Sequence, residues 1–173
     1  EGVRYRQWEA PSLVFCEGHR AVDNPFFNYL PFGGAKGEVL LVRLPEAEFN
    51  KILKHRVFIV PLDNGLYWIG ATYDWKFQDS GPTEAGRAYL QERLEDVLRT
   101  PFEIVEHQAA VRPTVKDRRP FLGRHPRFPS LYVFNGLGTK GASLGPFWAR
   151  HLSRHLLEEA PLDPAVDIRR FDS

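Results

Sequence analysis

Methionine is absent from the 173 residues, and cysteine occurs once, as Cys16. A single thiol excludes an internal disulfide framework and favours a reducing compartment, so a cytoplasmic location is expected. The chain opens E-G-V-R-Y-R-Q-W, with neither an initiator residue nor a signal-peptide pattern. It therefore reads as the middle and end of something longer. No apolar run approaches ~18 residues, so no membrane-spanning helix is expected. A charge excess is missing too: 23 Lys and Arg stand against 22 Asp and Glu, a formal net charge of +1. That balance points to neither a nucleic-acid nor a membrane-surface partner. His19, His125, His151 and His155 show no metal-ligand spacing with carboxylates or cysteines, so no metal site is expected. The last two, spaced i,i+4, read as helix-surface residues. There is no internal repeat and no low-complexity segment.

What is present is enough for a packed core, in one domain or two small lobes: 43% of residues are hydrophobic. The most informative stretch is L-Y-V-F-N-G-L-G-T-K-G-A-S-L-G-P-F-W-A-R-H-L-S-R-H-L-L-E-E, from Leu131 to Glu159. A short apolar strand, Leu131 to Phe134, runs into Gly136, Gly138, Gly141 and Gly145, with Thr139 and Lys140 among them. An amphipathic helix follows, with Leu144, Phe147, Trp148, Leu152 and Leu156 on one side. Strand, glycine-rich turn and helix N-terminus aim free N–H groups and the positive end of a helix dipole at one spot. Such a spot suits a phosphate or another electron-rich oxygen. A glycine-rich tight turn before a packing helix is the plainer alternative.

The remaining elements predict a mixed α+β fold. Glu1 to Trp8 reads as one arm of a hairpin. Ser12 to Cys16 is a short buried strand ending at Glu17-Gly18, with Cys16 a small buried hydrophobe. Val39 to Arg43 is a strong strand, and Pro45 to Leu53 a turn or short helix. Val57 to Pro61 and Leu66 to Thr72 pair across Asp63-Asn64-Gly65, both faces being apolar enough to be covered. Thr83 to Arg99 is a helix whose Leu90, Leu94 and Val97 pack on the sheet. Phe102 to Arg112 is a long strand. The loop after it carries Lys116, Asp117, Arg118 and Arg119, and the tail beyond Pro161 is polar.

Two stretches resemble the C-terminal signature of the D-amino-acid oxidase and glycine oxidase family of flavoenzymes. They are R-P-T-V-K-D-R-R-P-F-L-G-R-H-P, from Arg112 to Pro126, and L-Y-V-F-N-G-L-G-T-K-G, from Leu131 to Gly141. K-G-E-V-L-L-V, V-P-L-D-N-G-L-Y-W-I-G-A-T and V-F-C-E-G resemble, in order, the strand that opens the family's substrate-domain sheet, its hairpin, and the strand ending at a cofactor-side glycine. The family begins with a βαβ unit whose G-x-G-x-x-G holds the FAD pyrophosphate. This chain does not begin with one, and Gly136, Gly138 and Gly141 resemble the family's second flavin contact instead.

The resemblance implies a C-terminal part of an FAD-dependent oxidoreductase, with the N-terminal FAD-binding half of the same protein as its partner. It implies that residues 1–20 belong to the FAD-binding lobe, 21–112 form a substrate-binding lobe, and 113–173 return to the FAD-binding lobe. FAD contacts fall to Gly18, Gly136, Gly138, Thr139, Lys140 and Gly141. The N–H groups of 138–141 face the flavin's pyrimidine edge, where negative charge builds on reduction. Arg112 matches the arginine that holds the substrate carboxylate, a task suited to a two-pronged guanidinium. The implied reaction is hydride transfer from the amine-bearing carbon of an amine or amino acid to flavin, with no catalytic side chain assigned. Thr139 stands where some members carry a second arginine, and Ala110-Val111 where Gly-Leu is frequent, which leaves the substrate open. His55, Tyr67, Tyr73 and His107 are unranked pocket candidates. Two other readings stay open: a non-catalytic binding module of the same fold, and a tRNA-modifying or dehydrogenase member of the superfamily.

Overall fold

The computed structural model describes residues 2–46 and 48–171. Its strands are, in order, β1 (Val3–Tyr5), β2 (Trp8–Ala10), β3 (Leu13–Phe15), β4 (Ala35–Arg43), β5 (Leu53–His55), β6 (Val57–Pro61) and β7 (Leu66–Gly70). Helix α1 (Glu84–Glu95) follows, then β8 (Glu103–Arg112), β9 (Phe121–Arg124), β10 (Leu131–Asn135) and helix α2 (Gly141–Glu158). The fold is α+β, with antiparallel and mixed sheets. Residues 35–111 form one compact unit, and the flanking segments, up to 34 and from 112, form the other. Among the described residues no helix is long and apolar enough to cross a membrane.

In the inserted unit the strand order is β5-β6-β7-β4-β8. β6 and β7 pair antiparallel, Ile59 opposite Ile69. Their turn works because Asn64 and Gly65 both adopt positive φ, 61° and 69°, as the two-residue reversal requires. Alternation puts Leu40, Val42, Val57, Ile59, Tyr67 and Ile69 on one face, under Leu90 and Leu94 of α1. Each of those two leucines is fully buried, a contribution of about 1.5–3 kcal/mol apiece. α1 is shorter than the expected 83–99: Thr83 caps it by accepting from Gly86 N–H, and it ends at Glu95, after which Val97 still packs on the core. The other sheet face is not covered within this unit as its apolar residues suggest. Phe58 is 41% exposed, because the one α-helix among this unit's described residues lies on the opposite face. The segment from Pro45 into β5 is irregular over its described residues, Ala47 lying outside them.

A buried ionic cluster fastens α1 to β4. The Glu38 carboxylate accepts from Thr83 N–H (2.9 Å) and from the Thr83 hydroxyl (2.8 Å), and lies 3.3 Å from Lys36 Nζ. Lys36 Nζ also donates to the Gly81 carbonyl at 2.9 Å. His107 Nε2 of β8 is 2.9 Å from Glu38 Oε2, in electrostatic contact but out of line for a hydrogen bond. Gly86 is a steric necessity here, since a Cβ at that position would run into the Glu38 carboxylate.

The flanking unit is built on a three-stranded sheet, β3-β10-β9. β10 is parallel to β3 and antiparallel to β9. It is apolar on both faces, as its unbroken Leu-Tyr-Val-Phe run requires. Leu131 and Val133 join Phe27, Leu30, Phe121 and Ile168 on one side. Tyr132 and Phe134 meet Leu152, Trp148 and Leu156 of α2 on the other. Residues 21–34, expected with the substrate lobe, pack here instead, because Phe27 and Leu30 are buried in this core. The expected apolar side of α2 is also narrower. Leu144 and Phe147 are exposed, the latter at 63%, since they lie roughly 80–140° around the helix from Leu152 at 100° per residue. His151 and His155 are more than surface residues: Nε2 of the first accepts Asp163 N–H, and Nδ1 of the second bonds the Ala160 carbonyl, folding the tail back along α2.

Burial pushes the Glu38 carboxyl up, but its bonds from Thr83 and Lys36 outweigh that and hold it below its ordinary value near 4.5. A folded-state value below the unfolded one stabilises the fold above about pH 4.5, and the contribution fades as pH falls through the depressed folded value. Urea midpoints measured on both sides of that value are expected to drop on acidification. Glu38→Gln should be less stable at neutral pH and show a shallower acid decline; equal acid slopes in both proteins would contradict the role given to Glu38.

Candidate functional site

The glycine-rich turn begins where β10 ends. Asn135 is buried, and its amide joins the ends of two parallel strands: Nδ2 donates to the Gly18 carbonyl at 2.8 Å, and Oδ1 accepts Gly136 N–H at 2.8 Å. Gly18 has φ +60° and open space where a Cβ would sit. Backbone conformation, rather than a close approach by a neighbouring group, is thus what demands glycine there. Gly136, at φ +76°, is glycine for both reasons, since a Cβ would come within 3.0 Å of Val115 Cγ1 and 3.4 Å of Phe121 N. Asn135 was not singled out in the sequence; its one visible signal is an asparagine placed directly before a turn glycine.

Gly138, at φ +56°, donates its N–H to the Pro113 carbonyl at 3.0 Å. Lys140 N–H goes to the Leu137 carbonyl at 3.2 Å. The expectation that all four N–H groups of 138–141 face a ligand is therefore corrected: two of them are engaged within the protein. Beyond them, the first turn of α2, from Gly141 onward, holds N–H groups that have no partner within α2 itself. Lys140 occupies the N-cap position without a side-chain cap, and the first turn carries no acidic residue. The positive end of the α2 dipole thus faces outward without a compensating carboxylate of its own turn. Thr139 and Lys140 are exposed and Gly141 is half-buried. The spacing Gly136–Gly138–Gly141 is also that of a dinucleotide fingerprint, yet α2 leads into a tail rather than a second parallel strand of a βαβ unit among the described residues.

Arg112 is the last residue of β8 and is half-buried. Its neighbour Pro113 is the acceptor for Gly138, and Thr114 accepts Gly33 N–H at 2.8 Å. The chain leaving Arg112 is therefore pinned at once to the glycine-rich turn. Arg112 thus stands one residue before the backbone that docks on Gly138, three residues ahead of the start of α2.

The other candidates have different surroundings. Tyr67 is buried and its hydroxyl accepts Phe49 N–H at 2.9 Å. His107 belongs to the Glu38 cluster. His55 is exposed at the end of β5, and Tyr73 is exposed with its ring 5.2 Å from that of Trp75. Cys16 is exposed rather than buried, because it lies one residue past β3; partial desolvation, with a smaller push from Glu17, raises its thiol pKa. Among the described residues no group of His, Cys, Asp and Glu is arranged to hold a metal.

A flavoprotein-type architecture, with a parallel strand pair meeting a glycine-rich turn and helix and a separate antiparallel sheet inserted, is what this geometry defines. The chain belongs to the DAO family of FAD dependent oxidoreductases, whose profile matches residues 1–155. It is 30% identical over 134 residues to a putative thiamine biosynthesis oxidoreductase, ThiO, of Rhizobium etli, covering 73% of this chain and 40% of that protein. It is 25% identical over 195 residues to the tRNA 5-methylaminomethyl-2-thiouridine biosynthesis bifunctional protein MnmC of Aeromonas salmonicida, covering 94% of this chain and 29% of that one. The structure is similar to glycine oxidase from Geobacillus kaustophilus, with a TM-score of 0.71 and 27% identity over 95% of this chain and 45% of that one. The chain thus spans less than half the length of these proteins.

Asn135→Ala leaves Gly136 N–H and the Gly18 carbonyl without their partner. A loss of roughly 1–3 kcal/mol in unfolding free energy is expected from denaturant titration. Asn135→Asp, which keeps the acceptor but sets a buried carboxylate against the Gly18 carbonyl, should lose at least as much at neutral pH.

Proposed function

We propose that this chain is the C-terminal part of an FAD-dependent oxidoreductase that oxidises an amine or amino acid. The observation that carries the reading is the docking of Pro113 on Gly138, which links the Arg112 segment to the uncapped start of α2. The N-terminal half of the same protein is its partner. β3 lies at the edge of its sheet, so its outer edge is available to a further strand.

The turn fits a flavin at its pyrimidine edge. No acidic residue stands in the first turn of α2, and the glycines keep the approach free of side chains at 138 and 141. Gly141 and the first-turn N–H groups would hold that edge, with Thr139 and Lys140 beside it and Gly18 and Gly136 shaping the backbone. When bound, the flavin supplies the acceptor for the hydride. Arg112 binds the substrate carboxylate with two parallel hydrogen bonds and so orients the amine-bearing carbon. The helix start favours the extra negative charge that reduction brings. The similarity to the bifunctional tRNA-modification protein, over 94% of this chain, supports a second reading in which the amine is borne by a nucleoside.

Steady-state kinetics on the complete enzyme separate these readings. Arg112→Ala should lower kcat/KM for an amino acid by an amount on the order of 2–5 kcal/mol, with a raised KM. Arg112→Lys should recover only part of it, because an ammonium lacks the two-pronged geometry. Flavin content and melting temperature should hardly change. Amino-acid kinetics unaffected by Arg112→Ala would overturn the assignment, and activity confined to an amine borne by a nucleoside would favour the second reading.

The isolated chain is expected to bind FAD weakly and to be inactive, since it offers the flavin-edge turn without a pyrophosphate-binding βαβ unit. Titration followed by flavin fluorescence checks this, and tight stoichiometric binding would contradict it.

A further inference from the structure

The polar tail beyond Pro161 has no part in the function proposed so far, yet it holds one of the most heavily bonded side chains in its unit. Arg170 lies in a 3-10 turn, Ile168–Phe171, with its side chain 16% exposed. Its Nε and Nη2 donate to Asp117 Oδ2 at 3.3 and 3.2 Å. Nη2 also reaches the carbonyls of Arg119 and Pro120, each at 3.2 Å, and Nη1 donates to the Asp167 carbonyl at 3.1 Å. The guanidinium carbon sits 5.1 Å from the centre of the Phe121 ring and 4.5 Å from that of Phe171.

Apart from Asp167 and Phe171 on its own turn, every one of these partners lies between 117 and 121. That segment continues the loop that starts at Arg112. Its beginning is tied to the glycine-rich turn through Pro113 and Gly138, and its end lies against Gly136, whose missing Cβ faces Val115 and Phe121 N. Residues 116–119 are exposed and belong to no strand. Arg170 therefore adds a side-chain anchor, beside the β9–β10 pairing that already holds Phe121, to the far end of a loop whose near anchor is the candidate site. The Arg170–Asp117 pair alone would hold weakly at a surface. Three carbonyls and two ring faces on the same planar fork make a much more specific clamp.

We infer that Arg170 is a positioning residue for the oxidation site: by clamping residues 117–121 it sets the Arg112–Pro113 segment and the glycine-rich turn in register with each other. The inference rests on the reading of Arg112 and the turn as substrate and flavin contacts. Arg170 touches neither group and acts through the loop.

The test uses the complete flavoprotein and three readouts: kinetics with an amino-acid substrate, the visible absorption band of the bound flavin, and the melting temperature. Arg170→Ala is expected to lower kcat/KM roughly 10- to 100-fold, the scale of a remote misplacement of reacting groups, and to shift the flavin band. Arg170→Lys should recover little, because it keeps the charge toward Asp117 but not the fork or the stacking. Asp117→Asn, a milder change that leaves Arg170 its other partners, should give a smaller loss of the same sign; it carries the test if Arg170→Ala does not fold. In an Arg112→Ala background, Arg170→Ala should cost far less than in wild type, as expected for residues acting through one another. A lowered melting temperature with unchanged kinetic constants and flavin band would overturn the inference, and so would losses that multiply fully with those of Arg112→Ala. If Arg112→Ala itself leaves amino-acid kinetics untouched, the substrate reading fails. The flavin band of Arg170→Ala then decides alone: a shift sustains the positioning of the turn, and no shift overturns it.

Discussion

The hydrogen bond from Gly138 N–H to the Pro113 carbonyl, 3.0 Å long, brings the segment that leaves β8 onto the segment that leaves β10. Three conditions make it possible. Gly136 and Gly138 must both take positive φ, and Gly136 must have no Cβ, because Val115 and Phe121 occupy the space. Asn135 then locks the start of the turn to Gly18 at the end of the neighbouring parallel strand. Side chains at any of these glycines would cost backbone strain or packing in a part of the molecule where β10 is already buried on both faces.

The two helices treat their N-termini in opposite ways. α1 begins on Thr83, backed by the buried Glu38 carboxylate, so its dipole is satisfied inside the protein. Burying a carboxylate is costly, and Lys36 and the Thr83 bonds offset that cost. α2 begins on Lys140 with no side-chain cap and no acid in its first turn. The chain thus commits a buried acid to one helix start and places none in the first turn of the other. The outward-facing positive end is consistent with membership of a family whose cofactor gains negative charge in use.

Much of the fold is legible in the sequence because the decisive signals are local. The 57–70 hairpin follows from two alternating runs around Asp-Asn-Gly, and α1 from Thr83 with a leucine stripe at helical spacing. Family resemblance, carried by spacing over nearly the whole chain, reaches further and agrees with the matched profile. Burial is less legible: Leu144, Phe147 and Cys16 are exposed, because hydrophobicity marks residues able to be buried without saying which partner is there to bury them.

The sequence by itself determined the α+β class and the strand–turn–helix of 131–158, since glycine and helix-forming patterns express backbone chemistry that needs no neighbours. Only the tertiary structure decided that Gly138 spends its N–H group on Pro113, that residues 21–34 pack with the glycine-rich unit, and that Asn135 bonds Gly18 while Arg170 bonds the 117–120 loop. Those facts are contacts between residues distant in the chain, set by how strands pair and loops close. An asparagine or an arginine reads the same in one dimension whether it faces water or bridges two segments.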